Sequence, residues 1–411
     1  MGVLIPQTGG WSSNSLFHTL QFMDRVLIYS HDTFGLGHLR RCLKIATALV
    51  ASASASHVII ATGSARARSF PLPDGIDIVA LPAAIKSSDG TYNSLTLGLD
   101  LDDLSMIRRG LVLSVIRTFK PDLFLVDHAP IGMAGELIPV LEEIAHLDRR
   151  PRIVLGMRDI VDDSSKVDAD WTSKGDWHEL NNHYDGVIVY GDPVVKTSAI
   201  ELGMAARLEI PVEHIGYVAP PPVELRPRRG RRPTVLVTVG GGGDGLPILE
   251  TYVEFLLNSP LARAIRSVLV TGPFAPASPL GRTIDQMAGL PVEIVSFSDR
   301  MEALLATADG AVAMAGYNTV AELLSYHVPA LLVPRVKPRV EQWLRATRLA
   351  ALAPLHPVAA EDLTVGHVED FVARLLHTTE HAGYQLDLDG ARAASQALVR
   401  VASRSLAGAP A

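Results

Sequence analysis

Residues 25–38 read RVLIYSHDTFGLGH and residues 234–245 read TVLVTVGGGGDG. Each is a short apolar run rich in β-branched residues that stops at a glycine-rich turn, and each is followed by helical spacing of apolar residues. The first helix is expected over residues 39–50, with Leu43, Ala46, Leu49 and Val50 on one face, and the second over residues 246–257. Further short apolar runs follow the first unit (HVIIAT, IDIVAL, DLFLVD, RIVLGM, GVIVYG) and the second (SVLVTG, VEIVSF, GAVAMA, PALLVP). Strands without polar alternation, separated by helical stretches, are the pattern of parallel sheets buried on both faces. The fold class is therefore α/β: two doubly wound, Rossmann-like domains facing each other across a cleft.

The Pro- and Arg-rich stretch APPPVELRPRRGRRP, from residue 219, separates the two sets. It sets the expected organisation: a tail over 1–22, a first domain over 23–218, a connector over 219–232, a second domain over 233–385, and a closing segment over 386–411. GARAASQALVRVASRSL in that last segment reads as a helix that packs back across the domains. A chain of 411 residues, 48% hydrophobic and 20% charged, has the composition of two or three globular domains rather than of a disordered or fibrous protein. Net charge −7 disfavours a grip on a phosphate backbone, so nucleic acid is not an expected partner. The single cysteine, Cys42, allows no disulfide framework or cysteine-based metal centre and fits a reducing, cytoplasmic compartment. No apolar stretch reaches the roughly 18 residues of a membrane span.

The turn GGGGDG satisfies the dinucleotide spacing at Gly240, Gly242 and Gly245, but the next strand ends VTGPF, without the acidic residue a nicotinamide site needs. Two readings remain, a neutral cradle for a diphosphate and a tight structural turn. In the first turn, FGLGHLRR sets His38 at the carboxyl edge of the sheet, where ligands of doubly wound folds collect. It is either a base or a helix-start residue bonded to backbone. Asp127, ending DLFLVDHAP, belongs to the same edge and would orient His38, or else cap its own loop. His128 is expected to point away if the strand continues.

Thr319 and Glu322, in AGYNTVAE, have capping-box spacing, which alone explains both as a helix start. A glutamate there also suits a ribose, two hydroxyl donors meeting two carboxylate oxygens. Glu341 and Gln342 lie near a second helix start and suit sugar hydroxyls or a solvated face. The Asp-x-Asp matches at Asp100, Asp168 and Asp387 follow no strong apolar strand and read as surface acids; no metal and no bound cofactor is expected.

FSDRM, AGYNTVAE, VPALLVPR and EQWLRA, in order within residues 296–346, resemble the donor-site blocks of glycosyltransferase family 28 of the GT-B fold. GGGGDG and FGLGH extend the resemblance, and LFLVDHAP, VLGMRDI and VIVYGDP are similar to a bacterial branch of predicted members. The resemblance implies that Glu322 holds a ribose and that Gly241, Gly242, Gly243 and the turn of Gly316, Asn318 and Thr319 face a diphosphate. It further implies Ser298 and Met301 beside the base, and Glu341 and Gln342 at the donor sugar. A histidine and an aspartate at the two strand ends resemble the plant-type GT-B transferases more than family 28. The chain departs from the family in FGLGH, in Arg345 where an asparagine is expected, and in Lys337 and Pro338.

The activity so implied is inverting, metal-independent transfer of a sugar from a UDP or dTDP donor to a hydroxyl or amine. His38 is then the base and Asp127 its orienting partner, and the nucleotide sugar is a co-substrate. Lys86, His128, Arg158 and Asp159 are candidates for binding the acceptor, a small molecule, glycan or lipid-linked compound met at a membrane surface without a spanning segment. Against this stand a solvated Lys86, an Arg158–Asp159 structural pair, and a packing cluster of Trp171 and Trp177. The alternatives to transfer are a sugar-nucleotide epimerase or hydrolase of the same fold and a catalytically silent nucleotide-sugar-binding protein.

Overall fold

The computed structural model describes residues 23–31, 36–86, 92–221, 231–240, 245–272, 285–296, 298, 301–377 and 383–403. The tail over 1–22, most of the Pro/Arg connector and Gly241, Gly242 and Gly243 lie outside the described residues.

The strands, in chain order, are β1 Arg25–Ser30, β2 His57–Thr62, β3 Ile76–Ala80, β4 Ala84–Lys86, β5 Tyr92–Ser94, β6 Leu123–Asp127, β7 Arg152–Arg158, β8 Gly186–Tyr190 and β9 Val212–His214. After the connector come β10 Thr234–Thr238, β11 Arg266–Val270, β12 Val292–Val295, β13 Gly310–Ala313, β14 Ala330–Leu332 and β15 Leu355–Pro357. The first sheet has the order β3-β2-β1-β6-β7-β8-β9 and the second β12-β11-β10-β13-β14-β15. Every pairing in both is parallel. Strands such as LFLVD (β6) and TVLVT (β10) are buried at every position, as helices on both faces require. In each sheet the winding reverses once, between β1 and β6 and between β10 and β13, and the crevice left at the carboxyl ends there is where a doubly wound sheet binds ligands.

The first helix, Gly37–Ala51, buries Leu39, Arg41, Cys42, Ile45, Ala46 and Leu49. This face is turned from the expected one, since Leu43 and Val50 are only half-buried, because both sides of the helix are covered: one by the first sheet, the other by the carboxy-terminal helix Gly390–Ser403. Ser395 on that closing helix bonds to Ser52 and Ser54, and Gly390 N–H donates to the Tyr217 carbonyl. A Cβ at Gly390 would sit 2.6 Å from the Tyr217 backbone, so only glycine allows this approach. One buried apolar cluster runs without a break from Ile28 and Leu125 through Ala397 and Leu398 to Leu236, Ala311 and Leu332, and so joins both domains.

Across the cleft, Arg345 of the second domain reaches Asp159 at the end of β7. Its Nη2 and Nε donate to the two carboxylate oxygens at 2.7 and 2.8 Å, and further bonds go to the carbonyls of Ala315 and Ile160, both at 3.1 Å. Both side chains are buried, so removing one partner strands a charge away from water. Arg345→Leu is expected to cost about 3–5 kcal/mol, with the double variant Arg345→Leu/Asp159→Leu recovering part of it; urea unfolding measures both, and an unchanged midpoint in the single variant would contradict the pair's role.

Candidate active site

Asp127 closes β6 directly beside the end of β1, and the helix Gly37–Ala51 starts over the same edge, which brings His38 above the carboxylate. His38 Nδ1 lies 2.6 Å from Asp127 Oδ2. Arg41, one turn along the helix, donates to both oxygens of Asp127 at 2.7–3.1 Å and places Nη2 3.0 Å from His38 Nδ1, so imidazole, carboxylate and guanidinium form a closed triangle. Burial opposes ionisation of Asp127, but Arg41 and the hydrogen bond to His38 outweigh it and hold the carboxyl down to about 2. An ionised Asp127 fixes the tautomer with the proton on Nδ1 and leaves Nε2 of His38 as the free base. Arg41 was not singled out from the sequence, because an arginine in an amphipathic helix reads as solvated; its position three residues after His38, on the same face, was the available signal.

Two more imidazoles flank His38. The rings of His31 and His128 lie 5.8 and 5.1 Å from it, and 5.8 Å from each other. His128 does not point away as the strand register implied: β6 ends at Asp127, and His128 turns back with φ +76°. Burial pushes His31 down to about 3 and His128 well below its ordinary value, so both stay neutral, and their Nδ1 atoms have no partner among the described residues. His38, with 21% of its side chain exposed, is the one in contact with a carboxylate.

Facing this edge is the helix Tyr317–Ser325, which follows β13. Its N-cap is Gly316, without a side-chain cap, so the capping box expected from Thr319 and Glu322 does not form: Thr319 is the third helical residue and Glu322 lies in the second turn. Glu322 is buried and its Oε1 accepts from Arg40 at 2.5 Å and Lys44 at 3.2 Å, both from the first domain. Asn318 donates to the Gly37 carbonyl at 2.9 Å, setting the two helix starts against each other, while its buried Oδ1 has no partner among the described residues.

His38, Arg158, Ser298, Met301, Gly316, Asn318, Thr319, Glu322, Glu341 and Gln342 all line one cleft of about 380 Å³ between the domains, within the range of small-ligand sites. Glu341 and Gln342 open the helix Glu341–Ala350 and are buried rather than solvated. Arg335 Nη2 donates to Glu341 Oε1 at 3.0 Å, and the Arg335 N–H to Gln342 Oε1 at 3.2 Å, while Glu341 Oε2 has no partner among the described residues. Buried, unfilled acceptors on Asn318 and Glu341, two residues that line one cleft, suit a polyhydroxylated ligand.

Asp159, expected at the acceptor, is buried and pairs with Arg345 rather than with Arg158. Successive side chains at a strand end point to opposite sides, so Asp159 turns to Arg345 while Arg158 turns to the cleft. Lys86 ends β4, opposite Tyr92, with its side chain outside the described residues. Trp171 and Trp177 pack edge to face at 5.1 Å, and Trp177 donates to Asp168. Of the Asp-x-Asp residues, Asp100 caps the helix Leu101–Phe119, Asp168 also pairs with Arg207, and Asp387 accepts from the Asp389 N–H. Among the described residues no helix is long and apolar enough to cross a membrane.

A second cavity of about 830 Å³ adjoins the triad, lined mostly by the first domain, with His31, His128, Trp171, Lys166 and Asp176 among its residues, and closed by Pro338 and Arg339 of the second. The two cavities meet at the three imidazoles, His38 on one side and His31 and His128 on the other.

This geometry agrees with the comparisons to known proteins. Residues 235–384 match the model of the glycosyltransferase family 28 C-terminal domain. The second domain is family 28-like, and the chain as a whole has the GT-B fold. An uncharacterized glycosyltransferase of Methanosarcina acetivorans is 24% identical over 73% of this chain and 77% of its own. The UDP-N-acetylglucosamine--N-acetylmuramyl-(pentapeptide) pyrophosphoryl-undecaprenol N-acetylglucosamine transferase of Opitutus terrae is 34% identical over 24% of this chain, and the match spans only about a quarter, 26%, of that relative. The solved glycosyltransferase of kitacinnamycin superposes with TM-score 0.58 at 17% identity, covering 94% of this chain and 99% of its own. In the GT-B fold the two switch points described above face one another, and the triad and the helix Tyr317–Ser325 are the two walls of the interdomain cleft.

Asp176 gives this second cavity of the GT-B chain a pH signature, because burial pushes its carboxyl up to about 7. Between about pH 4, where an unfolded aspartate ionises, and about pH 7, the unfolded chain has lost this proton while the folded chain keeps it, so stability falls as pH rises through that window. Asp176→Asn is therefore expected to melt above wild type at pH 8, with the difference shrinking toward pH 4–5. Thermal melts across that range measure it, and a constant difference would contradict the assignment.

Proposed function

We propose that the chain transfers a sugar from a nucleoside diphosphate donor, UDP- or dTDP-linked, to a hydroxyl or amine acceptor, with inversion at the anomeric carbon. The observation that carries this reading is that the His38–Asp127 pair, 2.6 Å apart, opens onto the same cleft as Asn318, Thr319, Glu322 and Glu341. In a single displacement the acceptor oxygen or nitrogen forms its bond to the anomeric carbon and gives its proton to His38 Nε2. The bond from that carbon to the diphosphate breaks, and its electron pair leaves with the phosphate. Asp127 steadies the imidazolium formed, and the start of the helix Tyr317–Ser325 favours negative charge on the departing group.

Glu322 is the residue for the ribose, with Arg40 and Lys44 already ordering its carboxylate. Ser298 and Met301 line the far part of the cleft and suit the base, while Glu341 and Gln342, with Glu341 Oε2 unfilled, suit the donor sugar. The acceptor enters through the cavity beside His31 and His128, where Lys166, Asp176 and Arg339 supply polar contacts. A lipid-linked acceptor, such as the name of the Opitutus terrae relative describes, would be met by peripheral contact with a membrane.

Incubation with UDP- and dTDP-sugars, with and without an acceptor set, tests the reaction: new glycoside only with acceptor is expected, whereas conversion of donor alone would favour an epimerase or hydrolase. His38→Ala should lower kcat by about 10²–10⁴-fold and leave the Kd for UDP within a few-fold. Glu322→Ala should mainly weaken donor binding. Titration calorimetry beside steady-state kinetics separates the two, and an equal loss of nucleotide affinity in both variants would contradict the assignment.

A further inference from the structure

Three buried arginines of this chain each have a carboxylate of their own: Arg41 with Asp127, Arg108 with Glu136 and Arg345 with Asp159. Arg158, half-buried at the wall of the cleft, differs from them. Among the described residues no carboxylate stands within ion-pair distance of it, and its Nε is buried without a partner. Its Nη2 lies 3.4 Å from His128 Nε2, a long contact to a neutral ring. Burial first, and then the charges of Arg345 and Arg41, press the guanidinium down to about 10, and Glu341, the carboxylate that acts against them, is already bonded to Arg335. A cation left this way at the wall of a cleft is incomplete without an anion.

We propose that Arg158 is the first domain's contact to the donor diphosphate, taking the oxygens of the phosphoryl group that leaves. This rests on the reading that the cleft holds a nucleoside diphosphate. Arg158 lines that interdomain cleft together with Gly240, Gly316 and Thr319, and it does not line the acceptor cavity, which has Arg339 and Lys166 of its own. The planar fork of a guanidinium matches two phosphate oxygens at once, and the helix Tyr317–Ser325 meets the same group from the opposite wall. When the bond from the anomeric carbon breaks and its electron pair goes to the phosphate oxygen, the charge gained there falls on a guanidinium that has no carboxylate within ion-pair distance among the described residues. The adjacent Asp159, through Arg345, keeps the second domain close enough for both walls to hold one diphosphate.

The test compares UDP, dTDP, uridine and thymidine binding to wild type, Arg158→Gln and Arg158→Lys by calorimetry, with melting temperatures of the ligand-free proteins. Arg158→Gln is expected to weaken the diphosphates about 10- to 100-fold while leaving the nucleosides within about two-fold, with Arg158→Lys between. The ligand-free Gln variant should melt at or above wild type, because it loses an uncompensated cation; a merely structural arginine would lower it. Unchanged diphosphate affinity in a folded Gln variant, including the case in which only the KM for acceptor rises, would overturn the proposal. Wild-type protein that binds neither UDP nor dTDP would remove the reading of the cleft, and this proposal with it.

Discussion

The guanidinium of Arg345 reaches out of its own domain to meet both oxygens of the Asp159 carboxylate, in a place where water has no access. A pair of that kind is tolerated only when both partners stay together, since either one alone is a bare charge in a medium of low dielectric constant. It therefore holds the width of the cleft. The apolar cluster shared by the two sheets and the closing helix gives cohesion without direction, whereas two parallel N–H···O bonds give orientation as well. The helix starts at Gly37 and Tyr317 meet through Asn318 because the walls are already fixed at that distance.

Within that frame the chemistry follows from where strands end. Parallel winding puts every carboxyl end on one side, so Ser30, Asp127 and Arg158 end neighbouring strands of one sheet and the turn after β13 lies opposite them. Asp127 then serves two cations at once. Arg41 keeps it ionised in a buried setting, and this makes it a dependable hydrogen-bond acceptor for Nδ1 of His38. His31 and His128, neutral from burial, surround His38 with polar edges but no added charge.

Much of this was legible in the order of residues, and the remainder fails for identifiable reasons. The long apolar strands and their glycine turns could be read directly, since a fully buried strand leaves no polar alternation to confuse it. The three-residue strands Val212–His214 and Leu355–Pro357, and the hairpin of β4 and β5, are too short to carry any period. His38 and Asp127 could be placed at one edge because strand ends in a doubly wound sheet converge. Local spacing misled at Glu322: Thr-x-x-Glu is a capping box only if the helix starts at the threonine, and Gly316 starts it three residues earlier, freeing the glutamate for Arg40 and Lys44. The partner of Asp159 stands 186 residues away, so nothing local distinguishes a bond to Arg345 from one to Arg158.

The most direct measurement is a crystal structure of the chain with an unreactive UDP- or dTDP-sugar analogue. The result expected is the pyrophosphate against residues 316–319 with the anomeric carbon turned toward His38 Nε2. A nucleotide seated outside the interdomain cleft, or an anomeric carbon facing the second domain, would contradict it.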